Sequence, residues 1–356
     1  MKPRVLMLGP LPPPVGGMAS VVANLCDALR EDCELALLNT VKTTASDRSL
    51  GTALRVHAGL LLHLARSCLK ARPVVHIHTC SWFSFWRNAA DVLVARLCGA
   101  RVVLHIHGAE FHQFLASLPP ARARLARAVL AGCDRVVTLG PRWQALLGDW
   151  CDPARVTVLV NGVAIGPAAT RPRGAAFTIV CFANYERRKA QDDLIRAVAR
   201  LAADRPVRLA LLGMEAEPGR RAQLQGLARE LGITESVLLT GPVSGEAQAR
   251  WWAAADVFCL PSHNEGLPMA MLEAMARAIP VVVSRVGSVP DAIRRAEEGL
   301  LFAPGDVDAL YAHLKTLSED PALAARIGLA GHARCAEGFS LEASRRELLA
   351  LYRTLA

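Results

Sequence analysis

The stretch FCLPSHNEGLPMAMLEAMARAIPVVVS, Phe258 to Ser284, constrains the fold more than any other. It reads as strand, loop, helix, strand. Val257–Leu260 is a short apolar run that Pro261 stops, and Pro280–Val283 is a second such run. Between them Ser262–Leu267 is a polar turn containing a glycine. Pro268 suits the first turn of a helix, and Met269–Arg277 is apolar nearly all round, as in a helix buried on most sides. Strand and helix alternate in the same way through both halves of the chain. That pattern calls for parallel sheets with helices on both faces.

The same stretch carries two carboxylates, Glu265 in the loop and Glu273 in the helix, with seven residues between them. Glu273 has an ordinary partner available in Arg277, four residues on. A lone acid in an otherwise apolar helix nonetheless costs several kcal/mol unless something satisfies it. The backbone N–H groups of Gly266, Leu267 and Met269 fall near the start of that helix, where a phosphate would be favoured.

At 356 residues the chain is long for one core, and two domains are expected. Ten scattered cysteines form no C-x-x-C pair and no metal spacing, which points to a reducing compartment and a cytoplasmic protein. No signal peptide is visible, and no apolar run is long enough to span a bilayer. The net charge of +9 is lopsided. Residues 1–165 hold 18 Lys and Arg against 10 Asp and Glu, whereas the rest hold 23 against 22. With only 5% aromatic residues and no nucleic-acid motif, nucleic acid is a poor partner. An anionic membrane surface, on the inner face of the plasma membrane, or a phosphate-bearing lipid acceptor fits the basic half better.

In the first half, strand Arg4–Leu8 leads into GPLPPPVGG, a stiff loop ending in Gly16 and Gly17, and then into helix Met18–Arg30. Glycines there let a backbone approach phosphates, but no G-x-G-x-x-G and no P-loop lysine is present. Strand Cys33–Leu38 precedes a polar loop, Thr40–Ser49, expected to be mobile. Leu50–Lys70 mixes leucines with Arg55, Arg66 and Lys70, and suits either a membrane surface or a core-facing helix with a basic side. After strand Val74–Ile77, HIHTCSWFSFWRN (His76–Asn88) is expected as a crevice loop, with at least half of its aromatics packing the core. Strand Arg101–Ile106 ends at His107 and Gly108. His105 is expected on the opposite side from His107, and Glu110 and His112 are candidate acceptor-side groups. A Pro-, Gly- and Ala-rich linker at about Ala164–Ala176 divides the domains, which are expected at 1–163 and 164–338, with a last helix in 339–356.

The second half restarts the alternation with strand Phe177–Cys181 and a basic turn, Arg187, Arg188 and Lys189, before a helix. Strands Val207–Gly213 and Val237–Thr240 follow, the latter leading into Gly241–Val243. Asp306 and Asp308 resemble a metal-holding Asp-x-Asp. Their place after Ala-Pro-Gly reads better as a helix N-cap and first turn, so no metal is expected.

PSHNEGLPMAMLEAMARAIPVVVSRVGSVPD resembles the Glu-x7-Glu signature of retaining glycosyltransferases of family four, and the late GLLFAPGD stretch extends the likeness. The resemblance implies an α/β protein of two doubly wound Rossmann-like domains facing across a cleft, the GT-B fold, with the last helix crossing back to the first domain. It implies an enzyme of polysaccharide or glycolipid synthesis. A sugar would pass from a nucleotide-sugar donor to a hydroxyl of a saccharide or lipid-linked acceptor, with retention and without a metal cofactor. Matched by position, Gly16 and Gly17 would approach the donor, and His107 would face its sugar. Lys189 would hold the diphosphate, Val243 would lie against the base, Glu265 would hold sugar hydroxyls and Glu273 the ribose. The N–H groups of Gly266 and Leu267 would take the phosphates. Asn184, also counted on the donor side, stands where the family has Arg, and Ala190 where it has Gly; Arg188 on the donor side, or Arg187, could substitute for the missing cation. A sugar-nucleotide epimerase, a phosphorylase or a non-catalytic saccharide-binding homologue are the alternatives on such a fold.

Overall fold

The computed structural model describes residues 2–12, 16–41, 50–168 and 174–356. Part of the Pro-rich loop, most of the polar loop after residue 40 and the centre of the linker lie outside the described residues. The chain forms two compact units, Met1–Asn161 with Leu341–Ala356, and Gly162–Ser340.

The first unit contains strands β1 (Arg4–Gly9), β2 (Glu34–Asn39), β3 (Val74–Thr79), β4 (Arg101–Ile106), β5 (Arg135–Thr138) and β6 (Val156–Val158). Between them run helices α1 (Gly17–Leu29), α2 (Leu50–Ala71), α3 (Phe83–Leu97), α4 (Phe111–Ala116), α5 (Pro120–Ala131) and α6 (Pro141–Leu147). The sheet is parallel with order β2-β1-β3-β4-β5-β6, so the chain reverses direction across the sheet between β1 and β3. Side chains alternate along these strands. Leu6, Leu8, Val75, Ile77, Val102 and Leu104 face one core with Leu64, Phe85, Val92 and Leu130 from the helices.

Three expectations for this unit are corrected. β3 runs two residues further than predicted, so His76 and His78 are strand residues, fully buried, and the loop begins only at Cys80. Phe83–Asn88 then open α3. Phe85 is buried, whereas Trp82 and Phe83 are exposed. His105 and His107 lie on the same side, with ring centroids 4.1 Å apart. A period of two returns residues two apart to one face, so the opposite-side expectation miscounted the pleat.

The second unit contains β7 (Phe177–Phe182), β8 (Val207–Leu212), β9 (Val237–Thr240), β10 (Val257–Leu260), β11 (Val281–Ser284) and β12 (Leu300–Phe302). Its helices are α7 (Gln191–Ala202), α8 (Arg220–Glu230), α9 (Gly245–Ala254), α10 (Met269–Met275), α11 (Val289–Ala292), α12 (Val307–Glu319) and α13 (Pro321–Gly338). All pairings are parallel, in the order β9-β8-β7-β10-β11-β12. Counted within the unit this is 3-2-1-4-5-6, the doubly wound order whose switch point lies between its first and fourth strands. Val257–Leu260 and Val281–Ser284 are buried throughout, as strands covered on both faces must be.

α10 is as buried as its composition implies, but it ends at Met275 rather than Arg277. Ala278 in the following turn has a positive φ of 53°, which breaks the helix. The side chain of Asp306 accepts the Ala309 N–H at 2.9 Å as the N-cap of α12, and Asp308 pairs with Arg200. The Asp-x-Asp therefore serves a helix start. The final helix, α14 (Leu341–Leu355), belongs to the first unit, where it packs against α1. Arg345 pairs there with Asp32, and Tyr352 is fully buried.

Candidate active site

At the switch point of the second sheet, the loops after β7 and β10 meet. Lys189 Nζ lies 2.6 Å from Glu265 Oε1, and both side chains are largely buried, at 15% and 9% exposure. Ser262 Oγ donates to the same carboxylate oxygen at 2.6 Å. Arg188 ties the loops together, donating to the Asn264 carbonyl at 3.0 Å and pairing with Glu186 at 2.7 Å, while its own carbonyl accepts the His263 N–H. Arg187 points elsewhere, exposed beside Glu217. Of the two candidates for the missing cation, Arg188 is thus the one beside the Glu265 loop.

Asn184 holds the neighbouring loop. Its side-chain oxygen accepts the Met214 N–H at 3.1 Å and its carbonyl accepts from Gln191. Ala190, standing where a glycine is usual, adopts φ 48° and ψ 38°, which explains why that position favours glycine. The Glu265–Gly266 peptide is braced by the next loop. Ser288 N–H donates to the Gly266 carbonyl at 2.8 Å, and a Cβ on Gly287 would come within 1.8 Å of the Glu265 carbonyl oxygen. Only glycine fits there, and its φ is +53°. Gly266 and Leu267 are buried at the entry to α10, and Val243 is half-buried after β9.

Glu273 is partly buried, and burial raises its carboxyl pKa against the opposing charge of Arg277. Gln248 Nε2 donates to its Oε2 at 3.3 Å. Arg277 donates to the main-chain carbonyl of Glu273 at 2.8 Å and lies over the Trp252 ring. Ser262 and Gln248 were not singled out from the sequence. Ser262 was within reach of that reading, three residues from Glu265, but nothing local marks Gln248.

In the first unit, Gly16 caps α1 and Gly17 opens it, and among the described residues a Cβ added to either meets nothing within 4 Å. His107 follows β4. Its N–H extends the ladder to the Thr79 carbonyl at 2.8 Å, and its Nε2 lies 2.8 Å from His78 Nδ1. His76 Nε2 faces His105 Nδ1 at 3.3 Å, and His76 Nδ1 contacts the Tyr352 hydroxyl. Burial pulls His76 and His107 down to a pKa of about 3, and His78 and His105 well below the ordinary value. All four rings are therefore neutral. His76, His78 and His105 offer nitrogens within 4.8 Å of one another. Both nitrogens of His76 are already engaged, by Tyr352 and His105. Glu110 accepts from Trp82 at 3.4 Å, and His112 packs beside Trp143.

Residues 167–334 match the family model for glycosyl transferases group 1, and residues 15–166 that for glycosyltransferase family 4. A D-inositol 3-phosphate glycosyltransferase of Kineococcus radiotolerans is 30% identical over 340 residues, spanning 87% of this chain and 78% of that protein. The chain belongs to this family of glycosyltransferases. Another D-inositol 3-phosphate glycosyltransferase, from Actinosynnema mirum, is 35% identical over 219 residues, which cover 56% of this chain but only about half, 52%, of the relative. Among solved structures, Anabaena HepE in complex with UDP superposes with a TM-score of 0.78 at 17% identity, covering 99% of this chain and 100% of that one. The glycosyltransferase thus has the GT-B fold.

Proposed function

We propose that this glycosyltransferase holds its donor at the carboxyl ends of β7 and β10 and transfers the sugar to an acceptor hydroxyl with retention. The observation carrying this reading is the Lys189–Glu265–Ser262 cluster at the switch point, with Glu273 in the helix that follows. A buried ion pair adds little stability for its desolvation cost, so its placement at a ligand crevice favours a functional role. Donor binding replaces one satisfied arrangement with another. Lys189 exchanges Glu265 for the diphosphate, and Glu265 takes sugar hydroxyls. Glu273 accepts the ribose hydroxyls in place of Gln248. Lys189, Arg188 and the entry to α10 stabilise charge developing on the departing diphosphate, so the reaction needs no divalent ion.

The acceptor is a saccharide, in a lipid-linked form presented at an anionic membrane surface. The outer side of α2 supports this, with Leu54, Leu62 and Leu69 exposed beside exposed Arg55, Arg66 and Lys70, while Leu64 and Cys68 serve the core. No helix among the described residues is long and apolar enough to cross a membrane. The test is incubation with a panel of nucleotide sugars, with and without glycolipid acceptors, following nucleoside diphosphate release and reading the anomeric configuration of the product by proton NMR. A product of inverted configuration contradicts the reading, as does a panel in which no donor is turned over.

A further inference from the structure

Four histidines line one face of two neighbouring strands, His76 and His78 on β3, His105 on β4 and His107 just past its end. His78 stands beside Gly9 of β1, where a Cβ would come within 3.3 Å of its own Cβ, so the missing side chain makes its room. Its Nδ1 meets His107 Nε2 at 2.8 Å, while its Nε2 is buried with no hydrogen-bond partner among the described residues. Asn88 donates to the His78 carbonyl, which pins the strand at this point.

With both rings neutral, one proton lies between His78 and His107, and its position decides the rest of both rings. If it belonged to His107 Nε2, His78 would carry its own proton on Nε2, a buried N–H without an acceptor. If it belongs to His78 Nδ1, His78 Nε2 is only a bare lone pair. Orphaned buried N–H groups are rarer than under-satisfied acceptors. We infer that His78 donates from Nδ1 to His107 Nε2 and thereby holds His107 in its Nδ1–H tautomer. His107 then offers a ligand a hydrogen-bond donor and cannot take a proton through Nδ1. His78 is the positioning residue, acting through His107 alone.

The consequence for catalysis rests on the reading of His107 as a contact to the donor sugar. In that role His107 donates to a sugar oxygen and is not the base of the reaction. The tautomer itself is independent of that reading.

The test is two-bond proton–nitrogen NMR of the full chain labelled with 15N-histidine, the His107 signals being identified by their loss in His107→Gln. An Nδ1–H pattern for His107 at pH 7.5 supports the inference, and an Nε2–H pattern overturns it. The wild-type measurement stands even if a variant fails to fold. His78→Asn, which retains an amide donor, is expected to keep the Nδ1–H pattern, and His78→Leu to lose it, with the donor KM rising about 2- to 10-fold in the Leu variant, the worth of one ordinary hydrogen bond. Equal KM in the two variants contradicts the positioning role. If the tautomer is as inferred but His107→Gln leaves transfer unchanged, the assignment of His107 to the donor site fails and the inference does not.

Discussion

Lys189 and Ser262 both reach one oxygen of Glu265 in a nearly dry site. Removing Lys189 alone leaves that carboxylate uncompensated. Lys189→Ala is therefore expected to destabilise the protein by about 3–5 kcal/mol, the usual cost of breaking a buried pair from one side. Glu265→Gln in the same chain should recover most of it, and denaturant unfolding of the single and double variants checks this. Gly287 is a second test of the same loop. Gly287→Ala adds roughly 1–2 kcal/mol of backbone strain and drives a Cβ into the Glu265 carbonyl. Its melting temperature and its transfer rate should fall together. Glu273 stands out in the sequence because an acid in an apolar helix needs an explanation, and Glu265 only by its place in the Glu-x7-Glu stretch. The engagement of Glu273 by Gln248, 25 residues earlier, was not legible there, since no local pattern brings α9 beside α10. Nor did the sequence reveal that Asn184 uses its side chain to hold the next loop, which makes it a brace as well as a stand-in for the usual arginine.

The strands β3 and β4 carry a feature that no single segment discloses. β3 supplies two histidines to one face, β4 and the residue after it two more, and the closing hydroxyl comes from Tyr352 on α14, 276 residues beyond His76. The strand runs themselves were readable from apolar content. The end of β3 was not, because His76 and His78 look polar and were read as loop when both are buried in the sheet. Their burial has a consequence for stability. A folded-state pKa of about 3 for His76 lies below the ordinary value of 6.5, so between these values the unfolded chain binds a proton that the folded chain refuses. Stability from this group is complete above about pH 6.5 and falls as the pH drops, by about 1.4 kcal/mol per pH unit. The other three histidines shift in the same direction. Melting followed from pH 8 to pH 5 should show a steep loss below pH 6.5, and a flat profile would contradict the neutral cluster. The α2 helix packs Leu64 and Cys68 inward and carries exposed leucines and basic side chains outward. Sedimentation with anionic liposomes at low salt should bring the enzyme down, and high salt should release it. Its absence from the pellet at low salt would leave the outer leucines without a membrane role.

At the scale of the whole chain, two six-stranded parallel sheets followed from the repeated alternation of short apolar runs with amphipathic ones. Strand order did not follow from that alternation, because hydrophobic pattern is blind to which strands become neighbours. The order in the second unit matters most, since it sets β7 beside β10 and so brings Lys189 to Glu265 across 76 residues of sequence. Transfer should persist in excess chelator, and loss restored by magnesium or manganese would show that a metal carries the leaving-group charge. The central claim is that Glu273 holds the nucleoside and Glu265 the sugar of the donor. Titration calorimetry with a nucleoside diphosphate, which lacks the sugar, tests it on the wild type, Glu273→Gln, Glu265→Gln and Arg277→Ala. Glu273→Gln should lose about 1.5–3 kcal/mol of binding, roughly tenfold or more, as expected for a hydrogen bond to a charged group. Glu265→Gln should bind nearly as the wild type while its turnover with the full donor collapses. Arg277→Ala should bind nearly as the wild type. If Arg277→Ala weakens binding as much as Glu273→Gln does, or if Glu265→Gln turns over normally, the donor site does not lie where this account puts it.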